Sequence, residues 1–281
     1  MKRRAIPALA LAAALAASGF GAASAQAAGK NSAEVTYIAL GDSYPAGAGL
    51  TTGQEAYPAL LGDVHYATVD AHSAAASGDS TYDVLFDHTT GGAKVVTVTV
   101  GADDLDWGKA LMGDPTALAA LPDRMQALAG VPNGATAPDG EPVLSIPAVI
   151  AGIRTANPDA TILVTSYVHL FGSVATSCTI GGPAPVSAAQ AAFANNGVDQ
   201  LNAVIKGGVM AYDAAAHTNA VKYVDATGTF AGHALCDTDT PWLFDMTKSA
   251  PFHLTARGQK AYAQAIQQQG FQTAALAASR S

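Results

Sequence analysis

Four short stretches of the chain are apolar at successive positions and rich in β-branched residues: Val35 to Leu40, Val95 to Gly101, Thr161 to Tyr167 and Val221 to Asp225. Such runs lack the polar alternation of a half-exposed strand, so they predict strands buried on both faces. Between them lie Ala-rich stretches with helical spacing. The longest, Ser187 to Ala216, opens on Ser187 as an N-cap and runs through Val198, Leu201, Val204 and Ile205. Thr255 to Leu276 predicts a closing helix carrying Ala261, Ile266 and Phe271, with Gly270 as its point of interruption. Val131 to Pro142 is rich in Pro and Gly and reads as a surface loop rather than a domain linker. Apolar strands separated by helices imply an α/β fold with a central parallel sheet covered on both faces. In such a sheet ligands bind beyond the carboxyl ends of the strands.

The beginning of the chain changes which residues belong to that fold. Met1-Lys2-Arg3-Arg4 is basic, Ala5 to Phe20 is dominated by Ala and Leu, and Ala23-Ser24-Ala25-Gln26-Ala27 offers two overlapping A-x-A sites. That order reads as a secretory signal peptide over residues 1–27, leaving residues 28–281 as a single domain. The apolar run is too short for a comfortable membrane span, and no other stretch approaches the ~20 residues one requires. A soluble, exported protein is expected, without stable membrane insertion. About 250 residues suffice for one domain with a large core.

Charge then removes one class of partner. The leader takes Lys2, Arg3 and Arg4 with it and holds no acidic residue, so the formal charge moves from −8 to about −11. A surface that acidic disfavours nucleic acid, whose phosphates need clustered Lys and Arg. Cys178 and Cys236 are the only cysteines, and export would expose them to oxidising conditions. A disulfide is expected over two buried thiols. The chain-entropy model gives a loop this long on the order of 4 kcal/mol.

Candidate chemistry lies in four separated segments. Gly41-Asp42-Ser43-Tyr44-Pro45-Ala46-Gly47 sets a serine directly after a predicted buried strand, between glycines that allow a sharp turn and close substrate approach. Ala75-Ala76-Ser77-Gly78-Asp79-Ser80-Thr81 is the second, Gly101-Ala102-Asp103-Asp104-Leu105 the third, and Pro251-Phe252-His253-Leu254-Thr255-Ala256-Arg257-Gly258 the fourth. A serine hydroxyl needs a base to take its proton, and histidine titrates near neutral pH. The other histidines show no H-x-H or H-E-x-x-H spacing, and no acidic cluster has ligand spacing, so neither metal nor cofactor is expected. His233, and the apolar run Trp242-Leu243-Phe244, are further candidates for pocket wall.

In their order, these segments resemble the four blocks of the GDSL/SGNH hydrolase family, in particular its secreted actinobacterial lipases and esterases. The resemblance runs from about Val35 to the final helix. It implies a three-layer sandwich around a parallel sheet (SGNH hydrolase-like, flavodoxin-like). It also implies Ser43 as nucleophile, His253 as general base, and an oxyanion hole formed by the Ser43 and Gly78 backbone N–H groups with residue 103.

Two positions depart from the family pattern. The Asp usually found three residues before the histidine is Ala250 here, which implies that the Ala250 carbonyl orients the imidazole; Asp225 and Asp245 are substitutes. The Asn whose amide donates to the oxyanion is replaced by Asp103, whose ionised form would repel the transition state. The expected function is hydrolysis of lipid or short acyl esters by a monomer. The alternatives are a phospholipase A, a carbohydrate deacetylase, or a catalytically weak binding protein on the same scaffold.

Overall fold

All four predicted strands form, and they lie side by side. In chain order the strands are β1 (Val35–Gly41), β2 (Val69–Ser73), β3 (Val95–Thr99), β4 (Thr161–Thr165), β5 (Ser177–Cys178), β6 (Val186–Ser187) and β7 (Val221–Val224). The computed structural model describes residues 33–281, so the leader expected over residues 1–27 lies outside the described residues. Strands β2-β1-β3-β4-β7 form one sheet in that order, every neighbouring pair parallel, while β5 and β6 make a separate antiparallel ladder. Successive side chains of β3 point to opposite faces, and all of them are buried, so helices cover the sheet on both sides.

Strand β2 carries no apolar run, and the hydrophobic pattern gave no sign of it. Its sequence is VDAHS, it lies at the sheet edge, and Asp70 and His72 pair across its exposed side at 2.9 Å. Edge strands tolerate and favour such charged side chains. The strands β3 and β4 stop at Thr99 and Thr165, two residues short of their predicted ends. Gly101 and Tyr167 lie beyond the sheet, and Tyr167 reaches the site described below.

The helices are α1 (Ser43–Ala46), α2 (Tyr57–Gly62), α3 (Thr81–Asp83), α4 (Trp107–Leu111), α5 (Pro115–Leu128), α6 (Ile146–Ala156), α7 (Ala188–Ala216), α8 (Ala256–Ile266) and α9 (Gln272–Ala278). Helix α7 begins as its sequence predicts: Ser187 caps the Gln190 N–H and Gln190 bonds back to the Ser187 N–H, a reciprocal capping box. The closing helix breaks where Gly270 stands, dividing α8 from α9. A Cβ at Gly270 would lie 2.9 Å from the Leu163 side chain, so the glycine lets this segment pass close to β4.

Cys178 and Cys236 are joined in a disulfide, with Cα atoms 6.0 Å apart and a sequence separation of 58. It fastens β5 to the segment that follows β7. Replacing both cysteines by Ala is expected to lower stability by about 2–5 kcal/mol, the usual loss for a native bridge in a secreted domain. Urea unfolding checks this. An unchanged midpoint would show that the bridge constrains nothing.

Candidate active site

Strand β1 runs into Gly41-Asp42-Ser43, and the surroundings explain each residue. Gly41 has φ of 129°, and a Cβ there would sit 2.0 Å from the Thr99 carbonyl oxygen, so only glycine fits. Asp42 is fully buried. One of its oxygens accepts the Tyr44 N–H at 3.1 Å, and the other accepts the Tyr167 hydroxyl. That hydroxyl in turn accepts the Ala102 N–H at 3.2 Å. Burial pushes the Asp42 carboxyl well above its usual range, and the charge of Asp103 adds to the effect. The network ties the turn before Ser43 to the third segment and leaves Ser43 as the first residue of α1, at the carboxyl end of β1.

The second and third segments are clamped together by Asp104. Its carboxylate accepts the Thr81 N–H at 2.9 and 3.1 Å and the Thr81 hydroxyl at 2.6 Å. The group is wholly enclosed, and burial raises its pKa to about 7 against the pull of those donors. Gly78, exposed and left-handed at φ 102°, then presents its N–H to Asp103 Oδ2 at 3.2 Å. The Asp103 carboxyl thus already occupies a backbone donor that the sequence reading reserves for an oxyanion. Burial raises the Asp103 pKa to about 6; the Gly78 N–H opposes the rise, and the charges of Asp79 and Asp106 reinforce it.

His253 sits in a loop stapled to Phe244, whose N–H donates to the His253 carbonyl at 2.8 Å. The imidazole Nδ1 lies 2.9 Å from the Pro251 carbonyl oxygen. A carbonyl only accepts, so Nδ1 carries the proton and Nε2 keeps its lone pair. The Ala250 carbonyl, expected as the orienter, accepts the His253 backbone N–H at 3.4 Å and also favours the charged ring, while the Nδ1 hydrogen bond itself goes to Pro251. The reason is local. Phe252 adopts a left-handed φ of 68°, which folds the chain so that the carbonyl two residues back, rather than three, meets the ring. Asp225 and Asp245 take no part, their carboxylates accepting N–H groups of Thr227 and Thr247. Burial lowers the His253 pKa below its ordinary value, and the Pro251 and Ala250 carbonyls oppose the shift.

Ser43, Asp103 and His253 line one cavity of about 120 Å³, with Trp107, Leu111 and Phe252 among its apolar walls. Among the described residues no hydrogen bond joins Ser43 to His253; they share the cavity wall. Gly78 reaches it through Asp103. His233 and Trp242 do not contribute: their rings stack on each other at 3.7 Å, away from the cavity. Leu243 is core, and Phe244 packs beside Gly49.

Two participants escaped the sequence reading. Tyr167 is one. The other is Gln259 on α8, fully buried, whose Nε2 donates to the Tyr44 carbonyl at 2.9 Å while its Oε1 accepts the Tyr57 N–H at 2.9 Å. It docks the helix that follows His253 onto the turn that follows Ser43. A polar residue among the apolar positions of a closing helix was the available signal.

With this geometry in place, known proteins give a consistent answer. The model of the GDSL-like Lipase/Acylhydrolase family matches residues 39–261. A lipase of Streptomyces rimosus is 31% identical over 92% of this chain and 95% of its own. The chain belongs to the GDSL-like lipase/acylhydrolase family.

It is accordingly a carboxylic ester hydrolase. Lipase 1 of Streptomyces coelicolor is 30% identical over 85% of this chain and 87% of its own. The crystal structure of an extracellular lipase from Streptomyces rimosus superposes with a TM-score of 0.66 at 26% identity, covering 84% of this chain and 99% of that one. That of a phospholipase A1 from Streptomyces albidoflavus NA297 gives 0.67 at 23% identity, over 85% and 100%, and shares the fold. Membership in this family favours the hydrolase over the binding-protein alternative. Among the described residues no helix is long and apolar enough to cross a membrane.

Proposed function

We propose that this GDSL hydrolase is an exported lipase or esterase acting through an acyl-enzyme on Ser43, with His253 as general base. The observation that carries the reading is the convergence of Ser43, Asp103 and His253, from three distant segments, on one cavity walled largely by apolar side chains. The Nε2 lone pair of His253 takes the Ser43 proton as Oγ attacks the ester carbonyl carbon. The imidazolium then returns that proton to the departing alcohol, and water, activated by the same nitrogen, releases the acid.

The Pro251 carbonyl holds the imidazole in its working tautomer, the task a carboxylate performs in a triad. A carbonyl stabilises imidazolium less than a carboxylate does, and burial acts in the same direction by keeping His253 neutral. The Ser43 backbone N–H meets the oxyanion, joined by the Asp103 hydroxyl when that carboxyl is protonated, and by the Gly78 N–H when it turns from Asp103 Oδ2 to the oxyanion. Residues 1–27 direct export and residues 28–281 form one hydrolase domain working as a monomer. The basic, apolar, small-residue order of the leader, the disulfide and the extracellular lipase among its relatives support this part of the reading.

A fluorophosphonate probe and a panel of p-nitrophenyl esters test the proposal together. The purified protein is expected to be labelled covalently at Ser43 and to hydrolyse the esters in the absence of any added metal. Labelling at another residue, or ester hydrolysis that survives complete labelling, would overturn it.

A further inference from the structure

Two further cavities share wall residues with the catalytic one, and they differ in kind. Leu111 and Phe252 line it and also line a second cavity of about 170 Å³, with Phe171, Ile180, Ala194 and Met246 on its inner side and the exposed Met112 and Pro183–Pro185 segment on its outer side. Phe171 meets Phe252 edge to face, with ring centroids 6.1 Å apart, and both Phe171 and Ile180 are buried. Gln190 supplies the only polar side chain in that wall. The chain segment that brings Ile180 there starts at the disulfide-bonded Cys178, and the Ile180 carbonyl accepts the Met246 N–H at 2.9 Å. On another side, Trp107 lines both the catalytic cavity and a wide groove of about 730 Å³ between α5 and α7, where Gln126, Asn196 and Gln200 reach solvent.

We propose that the 170 Å³ cavity behind Leu111 and Phe252 is the acyl-chain subsite and sets the chain-length preference of the enzyme. This assignment rests on the acyl-enzyme reading of Ser43 and on how long each half of the ester stays. The alcohol departs after the first step and needs an open way out. The acyl group remains bonded to Ser43 Oγ until water attacks its carbonyl carbon. A small apolar pocket with a buried inner wall, next to a segment held by a disulfide, suits the half that stays, since burying each CH₂ there is worth about 0.8 kcal/mol. The groove beyond Trp107, with its solvent-reaching amides, suits the half that leaves. Trp107 is itself firmly seated: a Cβ at Gly197 would come within 1.9 Å of its indole, so the glycine makes room for the ring, which stacks near Phe193 at 6.0 Å.

Two homologous substrate series separate the halves: p-nitrophenyl esters from acetyl to decanoyl, and acetate esters of alcohols of increasing length. Ala194→Leu fills the pocket and Met246→Ala enlarges it. Against the parent, Ala194→Leu is expected to reduce kcat/KM for the long acyl esters about tenfold or more, while acetyl turnover holds within about twofold. Met246→Ala shifts the acyl optimum towards longer chains. Neither changes the ranking within the alcohol series. Thermal unfolding establishes that each variant is folded, and if Ala194→Leu does not fold, Met246→Ala carries the test alone. A shift in the alcohol series, or none in the acyl series, overturns the assignment while leaving the hydrolase intact. Loss of the Ser43 reading would show itself separately, as hydrolysis that survives Ser43→Ala.

Discussion

Ser43→Ala and His253→Ala are each expected to lower kcat for ester hydrolysis by about four to six orders of magnitude while leaving the fold in place. Ser43 is the first residue of a short helix just after a buried strand, and among the described residues its side chain makes no hydrogen bond. The loss of its hydroxyl therefore removes chemistry and little packing. His253→Ala also removes the ring that bonds the Pro251 carbonyl at 2.9 Å, but the loop stays stapled through the backbone contacts to Phe244. The double variant is expected to be scarcely worse than either single one, because serine and base act as a unit. Purified variants assayed with a p-nitrophenyl ester, with circular dichroism to confirm folding, settle the matter. Parent-like turnover in either variant, or additive losses in the pair, would remove the proposed mechanism.

How much of this was legible beforehand depends on whether a residue's role is local. Strands β1, β3 and β4 announce themselves because burial on both faces demands continuous apolar runs; β7, at one edge, keeps Val221 and Val224 buried but half-exposes Lys222 and Tyr223, and β2 at the other edge shows no apolar run at all. The α7 start is legible because Ser187 and Gln190 satisfy each other three residues apart. Ser43 and His253 stood out as chemistry set in recognisable segments. Tyr167 and Gln259 did not, since the hydrogen bonds that give them a role span 125 and over 200 residues and exist only once the sheet has formed. The choice between the Pro251 and Ala250 carbonyls turned on the left-handed φ of Phe252, which a phenylalanine does nothing to advertise. The hold of Asp103 on Gly78 is of the same kind. The sequence named both residues as neighbours of an oxyanion and could not say that one would accept the other's N–H.

That contact makes Asp103 the residue on which the pH dependence turns. Ionised, its Oδ2 takes the Gly78 N–H at 3.2 Å and sets a negative charge in the cavity shared with Ser43, which opposes a developing oxyanion. Protonated, it becomes a donor. Burial raises its pKa to about 6, with Asp79 and Asp106 pushing the same way and the Gly78 N–H pulling back; Asp42 and Asp104, both buried, face the same segment. The productive form needs His253 neutral, which holds above its lowered pKa, and Asp103 neutral, which holds below about 6. The rate is therefore expected to rise with pH as His253 loses its proton and to fall again through about 6 as Asp103 loses its own, a narrow bell. Asp103→Asn keeps an oxygen for the Gly78 N–H and adds an amide that donates at every pH. The alkaline limb should disappear, and turnover at pH 8 should rise by about 10²–10³, the usual worth of an oxyanion-hole donor. The acid limb, which belongs to His253, should stay where it is. Superimposable pH–rate profiles for variant and parent would mean that the residue 103 side chain does not meet the oxyanion, leaving the backbone N–H groups to stabilise it alone.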